Sequence, residues 1–358
     1  MSGNHVCFIV PTNVLVRVID EGSPQTRAAA IRTLAISERV RERRAITRRL
    51  VQHQPQASAA LLLAPVHEQR VVDDVHNGSM GDLPGTKARG EGDPPAADVA
   101  VNQAYDGAGA TYDFYLDIFN RNSVDGQGLE LVSSVHFETD YDNAFWNGAQ
   151  MVYGDGDDQM FKRGGFTQCL DVMAHELTHG VTQFTAGLRY RGQSGALNES
   201  FSDVLGSLVK QRSLGQTADQ ADWLIGEGIM GPQLPGVALR SLKAPGTAFQ
   251  FDNQPADMDH YVELPDDGDP RHDNGGVHIN SGIPNHAFYL AATALGGNAW
   301  EKAGRIWYTT LTTRLGEDSD FQAAADATVA VGADLFGAGG AEEQAVRAAW
   351  AQVGITVK

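Results

Sequence analysis

The sequence predicts an α+β protein in which a strand-rich part is followed by a helical part. Alternation of apolar and polar residues at 129–137, and an apolar run at 151–153 that enters a Gly-Asp-Gly turn, are typical of strands. Segment 76–98 is rich in glycine, proline and charge and is expected to be loop. Beyond residue 170 the spacing becomes helical, which predicts helices at 170–186, 197–212, 284–296, 299–315, 319–336 and 341–353. This order of elements indicates two lobes.

Charge is distributed unevenly along the chain. Residues 1–55 hold nine arginines against four acidic residues, a net charge of +5, whereas the remainder holds 18 basic against 41 acidic residues, a net charge of −23. An acidic body argues against a nucleic-acid partner, because phosphate binding needs a basic surface. The basic segment 24–50 has apolar residues at helical spacing, so we expect a helix that either docks on the acidic body or stays solvated.

The apolar segments indicate neither a membrane span nor a secretory leader. No segment reaches the ~20 apolar residues that a membrane-spanning helix needs. The apolar stretch 8–18 contains Pro11 and Arg17 and lacks a small-residue cleavage site after it, so a Sec signal peptide is not expected. The two cysteines, Cys7 and Cys169, form no disulfide framework; free thiols are the default expectation, and a single pair is the alternative. The sequence predicts a chain that is cytoplasmic or leaves the cell by a route other than Sec.

The pentapeptide His-Glu-Leu-Thr-His at 175–179 is a candidate metal-binding and catalytic motif. Positions i and i+4 share one face of a helix, so His175 and His179 can bind one metal ion. Glu176 is angled toward a metal-bound water and can take its proton as a general base. Such a pentapeptide also occurs on ordinary charged helix faces, so the surrounding sequence decides between a zinc site and a solvated surface.

A catalytic zinc ion takes three protein ligands and leaves one position open for water. A histidine at position 185 would indicate a metzincin, but Thr185 stands there. Segment 195–203 offers Glu199 instead, and Asp203 lies one helical turn further on the same face. We therefore expect Glu199 to be the third ligand and Asp203 to hold a ligand histidine in place.

Four segments together resemble the thermolysin family of metallopeptidases. They are MVYGDGD at 151–157, HELTHGVTQFTAGLRY at 175–190, GALNESFSD at 195–203 and DNGGVHINSG at 273–282. The resemblance implies a thermolysin-like fold, with a β-rich N-terminal lobe, an α-helical C-terminal lobe and the zinc cleft between them. It also implies a neutral metalloendopeptidase, in which zinc-activated water hydrolyses peptide bonds in protein or peptide substrates.

The resemblance assigns roles to individual positions. The zinc ligands are matched by His175, His179 and Glu199, with Glu176 as the base. The histidine and the tyrosine that stabilise the oxyanion, and the acid that orients the histidine, are matched by His278, Tyr190 and Asp273. The groups that bind the substrate main chain are matched by Asn143, Ala144 and Arg240, and the residues that brace the zinc ligands by Asn198 and Asp203. Each preorganised oxyanion donor contributes ~3 kcal/mol to such a reaction.

A hydrophobic specificity pocket is also implied by the resemblance. The positions that match it, or lie near it, are Phe161, Val172, Ile225 and Leu239. A pocket lined by such residues implies cleavage on the N-terminal side of Leu, Phe, Ile or Val. Each of the four residues alone also fits an ordinary core position.

The calcium site of the family is only partly matched. Asp171, Asp222 and Glu227 match three of its acids, but Lys210 and Leu224 stand where two further acids are expected. Because Ca²⁺ needs roughly six to eight oxygen ligands, the sequence does not support a double calcium site. We expect the Lys210 ammonium to replace one ion, which leaves room for a single calcium or for an ordinary ion pair.

The N-terminal segment resembles the short propeptide of the protealysin subgroup. We expect a propeptide at 1–70, an N-terminal catalytic lobe at 71–188 and a C-terminal lobe at 189–358. The implied role of the propeptide is to close the cleft until processing, somewhere in 52–75. The residues expected to block the cleft are Cys7, Phe8, Ile9, Val10 and Pro11.

Cys7 has two interpretations. Its thiolate can occupy the open position on zinc, or it can be a buried thiol of the propeptide interface.

Three functions are open for the whole protein. It can be an active endopeptidase made as a zymogen, a zinc-bound binding protein with a silent site, or a zinc hydrolase with another substrate. The intact base, ligands and main-chain binders favour the first. A proteinaceous inhibitor is a further partner that an intracellular protease would use.

Overall fold

The computed structural model describes residues 6–51 and 68–358. The elements of the first part are β1 (Cys7–Phe8), α1 (Thr12–Glu21), α2 (Pro24–Val51), β2 (Arg70–Asp74), β3 (Thr86–Gly90), α3 (Val99–Phe119), β4 (Leu131–Val135), β5 (Ala144–Trp146), β6 (Met151–Tyr153), α4 (Gly165–Gln168) and α5 (Leu170–Gln183). Those of the second part are α6 (Gly192–Leu214), β7 (Leu224–Ile225), β8 (Arg240–Ser241), α7 (Asp273–Asn280), α8 (Gly282–Leu295), α9 (Ala303–Thr313), α10 (Phe321–Phe336) and α11 (Ala341–Gln352). The α+β prediction is confirmed, and so are the predicted helices beyond residue 170, with ends shifted by a few residues.

A six-stranded sheet in the order β1-β5-β6-β4-β2-β3 organises the first part. Strands β2, β4 and β6 are parallel neighbours, whereas β3, β5 and β1 each pair antiparallel with the strand beside them. The edge strand β1 comes from the N-terminal segment and places Cys7 opposite Trp146 and Phe8 opposite Phe145. The segment predicted to close the cleft therefore extends the sheet.

Two predictions for the first part need correction, and one helix was missed. The expected loop 76–98 contains strand β3, whose exposed and polar first residues gave no apolar alternation. The strand predicted at 129–137 ends at Val135, because His136 has a left-handed backbone (φ 56°). Helix α3 was not predicted, although it is 21 residues long. Its Gly107 looks like a helix breaker, but a Cβ there would lie 2.1 Å from Met173, so the glycine serves close packing.

Helix α5, which carries the pentapeptide, is buried from Asp171 to Thr182 on every side. It lies against the partly apolar helix α6, and Gly206 permits the contact. A Cβ at position 206 would lie 2.6 Å from the Asp171 carbonyl oxygen, so a larger residue would push the two helices apart. This close approach brings the carboxylates of α6 to the histidines of α5.

The predicted basic helix is confirmed as α2, and it docks on the acidic body. Its contact is made mainly by small and polar buried residues. Thr33 accepts a hydrogen bond from the Asp142 N–H (3.2 Å), and the Ser37 and Tyr141 hydroxyls are 2.9 Å apart. Ion pairs join Arg32 to Asp157 and Arg39 to Glu138, both at 3.4 Å, but the two arginine side chains are 44% and 62% exposed. Because exposed pairs contribute little, shape and burial hold α2 more than charge does.

Helices α8 to α11 pack around aromatic side chains in the second part. Trp307 and Trp350 stack with ring centres 6.3 Å apart, and Phe288 packs on Trp307 at 5.1 Å. Within 6–51 and 68–358, no helix combines the length and the apolar character that crossing a membrane requires. Helices α8, α9 and α10 contact α6, and α8 also contacts α7, so the helical part supports the two helices that carry Glu199 and His278.

Candidate active site

Two helices bring three metal-binding side chains to one point. His175 and His179 project from one face of α5, and their Nε2 atoms are 3.0 Å apart. Glu199 reaches the same point from α6, with carboxylate oxygens 3.5 Å from His175 Nε2 and 3.4 Å from His179 Nε2. All three side chains are buried. The structure therefore brings together the three residues that the sequence predicted as ligands.

The other ring nitrogen of each histidine is held by an acceptor on α6. His175 Nδ1 is 2.8 Å from Asp203 Oδ1, and His179 Nδ1 is 2.9 Å from Asn198 Oδ1. These contacts leave both Nε2 atoms directed at the shared point, which is the usual support of a histidine-bound metal. Ser202, which the sequence did not single out, lies 3.1 Å from His179 Nδ1.

The residues fit a catalytic zinc ion. Two imidazole nitrogens and a carboxylate are a ligand set that zinc takes in hydrolases. The Oε2 atom of Glu199 is buried and accepts no hydrogen bond from the part of the chain described here, so it has lone pairs to offer a cation. The Cys7 sulfur, His179 and Glu199 also form a group of possible ligand atoms within 4.8 Å of one another.

Glu176 lies beside this point as a buried carboxylate. One oxygen accepts a hydrogen bond from the Trp146 N–H of β5 (2.8 Å). The other, Oε1, is buried without a hydrogen-bond donor among the described residues. Burial raises the pKa of Glu176 to about 8, since the charged form loses hydration. The raised pKa means that the ionised carboxylate is a stronger base than an exposed glutamate, which suits the transfer of a proton from a water molecule.

The opposite side of the cleft carries the predicted oxyanion donors. Asp273 accepts hydrogen bonds from the His278 N–H (2.7 Å) and contacts His278 Nδ1 (2.6 Å). His278 Nε2 is 3.0 Å from the Tyr190 hydroxyl, which in turn hydrogen-bonds to Glu199. Burial acts to lower the pKa of His278, but the Asp273 and Glu199 carboxylates outweigh it and raise that pKa.

Helix α7 positions this histidine. Its first turn is not regular, because Asn274, Gly275 and Gly276 have left-handed backbones with φ of 52°, 81° and 81°. The kink turns the Asp273 carboxylate back onto the start of the regular helix, which carries His278. A second support was missed by the sequence: Gln254 donates a hydrogen bond to the His278 carbonyl (2.7 Å). No motif marks Gln254, which lies in an irregular segment.

Asp203 connects the metal-binding point to the substrate side of the cleft. Its carboxylate accepts two hydrogen bonds from Arg240, each 2.9 Å long, and one from Asn285 at 2.9 Å. Burial acts to raise the pKa of Asp203, but Arg240 and His175 together lower it to about 2. Asn285 was also missed, because an asparagine inside an apolar helix carries no signal in the sequence.

The N-terminal segment lies in the cleft. The Ile9 N–H donates to the Ala144 carbonyl (3.2 Å), and the Val10 N–H donates to the Asn143 side chain (2.9 Å). Arg240 donates to the Ile9 carbonyl at 3.0 Å. The structure therefore brings the three predicted main-chain binders to the segment expected to block the cleft.

The four predicted pocket residues are buried in the main hydrophobic core. They are Phe161, Val172, Ile225 and Leu239, each at most 2% exposed, and Ile9 belongs to the same core cluster. Ile225 pairs with Arg240 across strands β7 and β8, which places it next to a main-chain binder. Their assignment to a specificity pocket stays a prediction.

Lys210 occupies the place of the predicted calcium site. Its ammonium is 2.8 Å from Asp222, 3.2 Å from Asp171 and 3.7 Å from Glu227. The Leu224 carbonyl is 3.5 Å away from the same nitrogen. The ammonium occupies the space among these oxygens and neutralises part of their negative charge, as a calcium ion would do. The residues therefore do not fit a double calcium site.

The cleft combines a metal-binding point, a buried carboxylate beside it and the predicted oxyanion donors, and it holds a peptide segment by its main chain. This combination defines a metallopeptidase. Two family profiles match the chain: "Thermolysin metallopeptidase, catalytic domain" over residues 72–183, and "Thermolysin metallopeptidase, alpha-helical domain" over residues 186–355. The chain belongs to the thermolysin family of metallopeptidases.

Full-length relatives agree with this assignment. The "Extracellular metalloprotease" of Pectobacterium carotovorum subsp. carotovorum is 46% identical over 364 residues, which cover 100% of this chain and 99% of that protein. The "Protease PrtS" of Photorhabdus sp. (strain Az29) is 48% identical over 81% of this chain and 80% of its own. Among solved structures, the precursor of protealysin, a metalloproteinase from Serratia proteamaculans, matches with a TM-score of 0.83 and 47% identity. That match covers 98% of this chain and 100% of the other. The chain is a zinc metalloendopeptidase made as a zymogen.

Proposed function

We propose that Glu176 is the general base of this peptidase and that His175, His179 and Glu199 hold its zinc ion. Zinc, when bound there, supplies a Lewis acid that makes water more acidic and polarises the scissile carbonyl. Glu176 then takes the proton of the attacking water through its unpartnered oxygen and can deliver it to the leaving amine. His278 and Tyr190 donate hydrogen bonds to the carbonyl oxygen as negative charge develops on it.

Asn143, Ala144 and Arg240 hold the substrate main chain in this proposal. Their polar groups line the edge of the sheet where β1 now lies, and an extended peptide can add to that edge as a strand. Phe161, Val172, Ile225 and Leu239 form the pocket for the side chain that follows the scissile bond. The proposed substrates are proteins and peptides cut on the N-terminal side of hydrophobic residues.

The observation that carries the proposal is the buried Glu176 carboxylate beside three convergent ligand atoms. Its test compares the native protein with Glu176→Gln and with Glu130→Gln, a control at an exposed acid. Peptide hydrolysis and bound zinc are measured on each. We expect Glu176→Gln to lose at least ~100-fold in kcat while its zinc content stays unchanged, and the control to keep both. Full peptide hydrolysis by Glu176→Gln would contradict the assignment. If the native protein also fails to cut peptides after processing, a zinc-bound binding protein becomes the better interpretation.

We propose residues 1–70 as the propeptide, 71–188 as the N-terminal catalytic lobe and 189–358 as the C-terminal lobe. In the precursor, Cys7 supplies a thiolate to the position where zinc would otherwise hold water. The proximity of its sulfur to the ligand atoms of His179 and Glu199 supports this role. Cobalt in place of zinc gives a direct readout, because a thiolate ligand adds a sulfur-to-metal absorption band. The band should be present in the native precursor and absent from Cys7→Ser, with Cys169→Ser as the control.

Three finer points complete the proposal. Export from the cell is supported by the "Extracellular metalloprotease" name of a relative, and detecting the protein only inside intact cells would oppose it. A proteinaceous inhibitor would bind the processed enzyme and not the precursor, because β1 already covers the sheet edge. Lys210 replaces calcium, because its ammonium lies among the carboxylates of Asp171, Asp222 and Glu227.

A further inference from the structure

The N-terminal strand follows the direction of a bound peptide through residues 8–10. The Ile9 N–H donates to the Ala144 carbonyl (3.2 Å), while Asn143 accepts from the Val10 N–H (2.9 Å) and donates to the Val10 carbonyl (3.1 Å). These bonds keep the segment antiparallel to β5, as an added edge strand would be.

The two carbonyls next to the Phe8–Ile9 bond contact different catalytic groups. The Phe8 carbonyl oxygen is 3.1 Å from His278 Nε2, the proposed oxyanion donor. The next carbonyl, that of Ile9, accepts a hydrogen bond from Arg240 (3.0 Å). The carbonyl at the proposed oxyanion position is therefore the one that belongs to the Phe8–Ile9 bond.

The side chains on the two sides of this bond have different surroundings. Ile9 is fully buried in the main core cluster, which includes the four proposed pocket residues. Phe8 packs on Phe145, with ring centres 5.3 Å apart, and on a cluster to which α2 contributes Ile36 and Val40. Part of the environment of Phe8 thus belongs to the propeptide, whereas the cluster that holds Ile9 keeps the four proposed pocket residues when the propeptide leaves.

We infer that residues 7–10 are bound as a substrate with Phe8–Ile9 at the cleavage position, and that the Cys7 thiol protects this bond. The inference rests on the proposed function. Cys7 packs with Tyr190 and Val277, and its sulfur is placed beside the metal-binding point, where an attacking water would have to stand. Without the thiol, water adds to the Phe8 carbonyl carbon and the C–N bond breaks. The products are a Phe8 carboxylate and a new amino terminus at Ile9.

Residues 8–10 also indicate the preferred substrate. A peptide with phenylalanine before the bond, isoleucine after it and valine next reproduces residues 8–10, and it should be cut between Phe and Ile. The isoleucine position should be the more selective of the two, because the phenylalanine site loses Ile36 and Val40 when α2 leaves.

The first experiment measures the intact mass of full-length Cys7→Ser at successive times, which shows whether an N-terminal piece is lost. We expect loss of residues 1–8 at a rate that does not change on tenfold dilution, which marks cleavage within one molecule. The Cys169→Ser control should not lose this piece, and adding Glu176→Gln to Cys7→Ser should abolish the loss. Cys7→Ser that digests casein while its Phe8–Ile9 bond stays whole would overturn the inference and leave the peptidase function standing.

A second experiment does not depend on the folding of Cys7→Ser. The native enzyme, after processing, is given the peptides Val-Ser-Phe-Ile-Val-Pro and Val-Cys-Phe-Ile-Val-Pro. We expect the serine peptide to be cut between Phe and Ile, and the cysteine peptide to inhibit casein digestion at least tenfold more strongly. Calorimetry with Glu176→Gln, processed by native enzyme, should show binding of both peptides without turnover. If the enzyme digests casein but leaves the serine peptide whole or cuts it at another bond, the inferred position of the Phe8–Ile9 bond is wrong. If it also fails to digest casein, the proposed peptidase function is wrong.

Discussion

Replacing Lys210 with methionine should turn a protein that is indifferent to calcium into one that calcium stabilises. The ammonium of Lys210 lies 2.8 Å from Asp222 and 3.2 Å from Asp171, with Glu227 at 3.7 Å. Methionine keeps most of the side-chain length but removes the positive charge. Three carboxylates and the Leu224 carbonyl then face one another across a small space, which is an arrangement that suits a calcium ion.

The expected loss of stability follows from the burial of the pair. The Asp171 side chain is 2% exposed and that of Lys210 is 14% exposed. Removing one partner of a buried ion pair costs ~3–5 kcal/mol. Asp222 and Glu227 are 29% and 56% exposed, so water screens part of their repulsion. We therefore expect a loss of about 2–3 kcal/mol in the unfolding free energy without calcium. Calcium at 100 times its dissociation constant would restore ~2.7 kcal/mol.

Urea unfolding in a Glu176→Gln background, which prevents self-digestion, measures these values. The native protein should give the same unfolding free energy in a calcium chelator and in excess calcium, whereas Lys210→Met should differ between the two. Lys302→Met is a suitable control, because its 2.7 Å pair with Glu342 involves a lysine that is 47% exposed, and it should change stability by less than ~1 kcal/mol. Equal stabilisation of the native protein and the variant by calcium would contradict this expectation, and so would a Lys210→Met protein that loses no stability in chelator.

Three further outcomes test other contacts. Asp203→Asn should lower zinc affinity by ~10–100-fold in a chelator competition, since it weakens the support of a zinc ligand, and unchanged affinity would contradict that role. The pKa of His136 is raised to about 9, mainly by its hydrogen bond to Asp155 and further by Asp98. The stability that the protonated His136 contributes should be fully present below pH ~6.5 and should disappear as pH rises through about 9. Because the side chain is partly exposed, we expect the unfolding free energies of the native protein and His136→Gln to differ by ~1–2 kcal/mol at low pH. A difference that does not vary with pH would refute this. Gly206→Ala should destabilise the protein by ~1–3 kcal/mol in urea, because its methyl group would separate α5 and α6, and a neutral result would show that the helices can move apart without cost.

The residues that the sequence identified share one property: they are close together along a helix or belong to a motif of fixed spacing. His175, Glu176 and His179 share a face of α5, and Glu199 and Asp203 share a face of α6. Helical periodicity fixes such relations before any tertiary contact is known. The sequence could therefore predict the ligand set and the order of the lobes. It is the packing of α5 against α6 that brings the ligand atoms to one point.

The residues that were missed act through contacts between distant segments. Gln254 supports His278 from an irregular segment, and Asn285 supports Asp203 from inside an apolar helix. Helix α3 was not predicted, and its Gly107 is explained by close packing on Met173 in another helix. The basic charge of α2 left open whether the helix docks or stays solvated, and most of the observed contact is made by small uncharged residues. In each case the physical reason lies in a neighbour that the local pattern does not contain.

Asp203 links the metal-binding point to the substrate-binding side of the cleft. Its Oδ1 atom is shared between His175 Nδ1 (2.8 Å) and Arg240 (2.9 Å), and Arg240 also binds the Ile9 carbonyl (3.0 Å). A peptide held by Arg240 is thus connected to a proposed zinc ligand through one buried carboxylate. Because Asn285 fixes the second oxygen of Asp203, the carboxylate cannot rotate to serve only one partner. The same buried network that orients the metal ligand therefore also orients the peptide carbonyl next to the bond to be cut, which couples the two halves of the catalytic geometry.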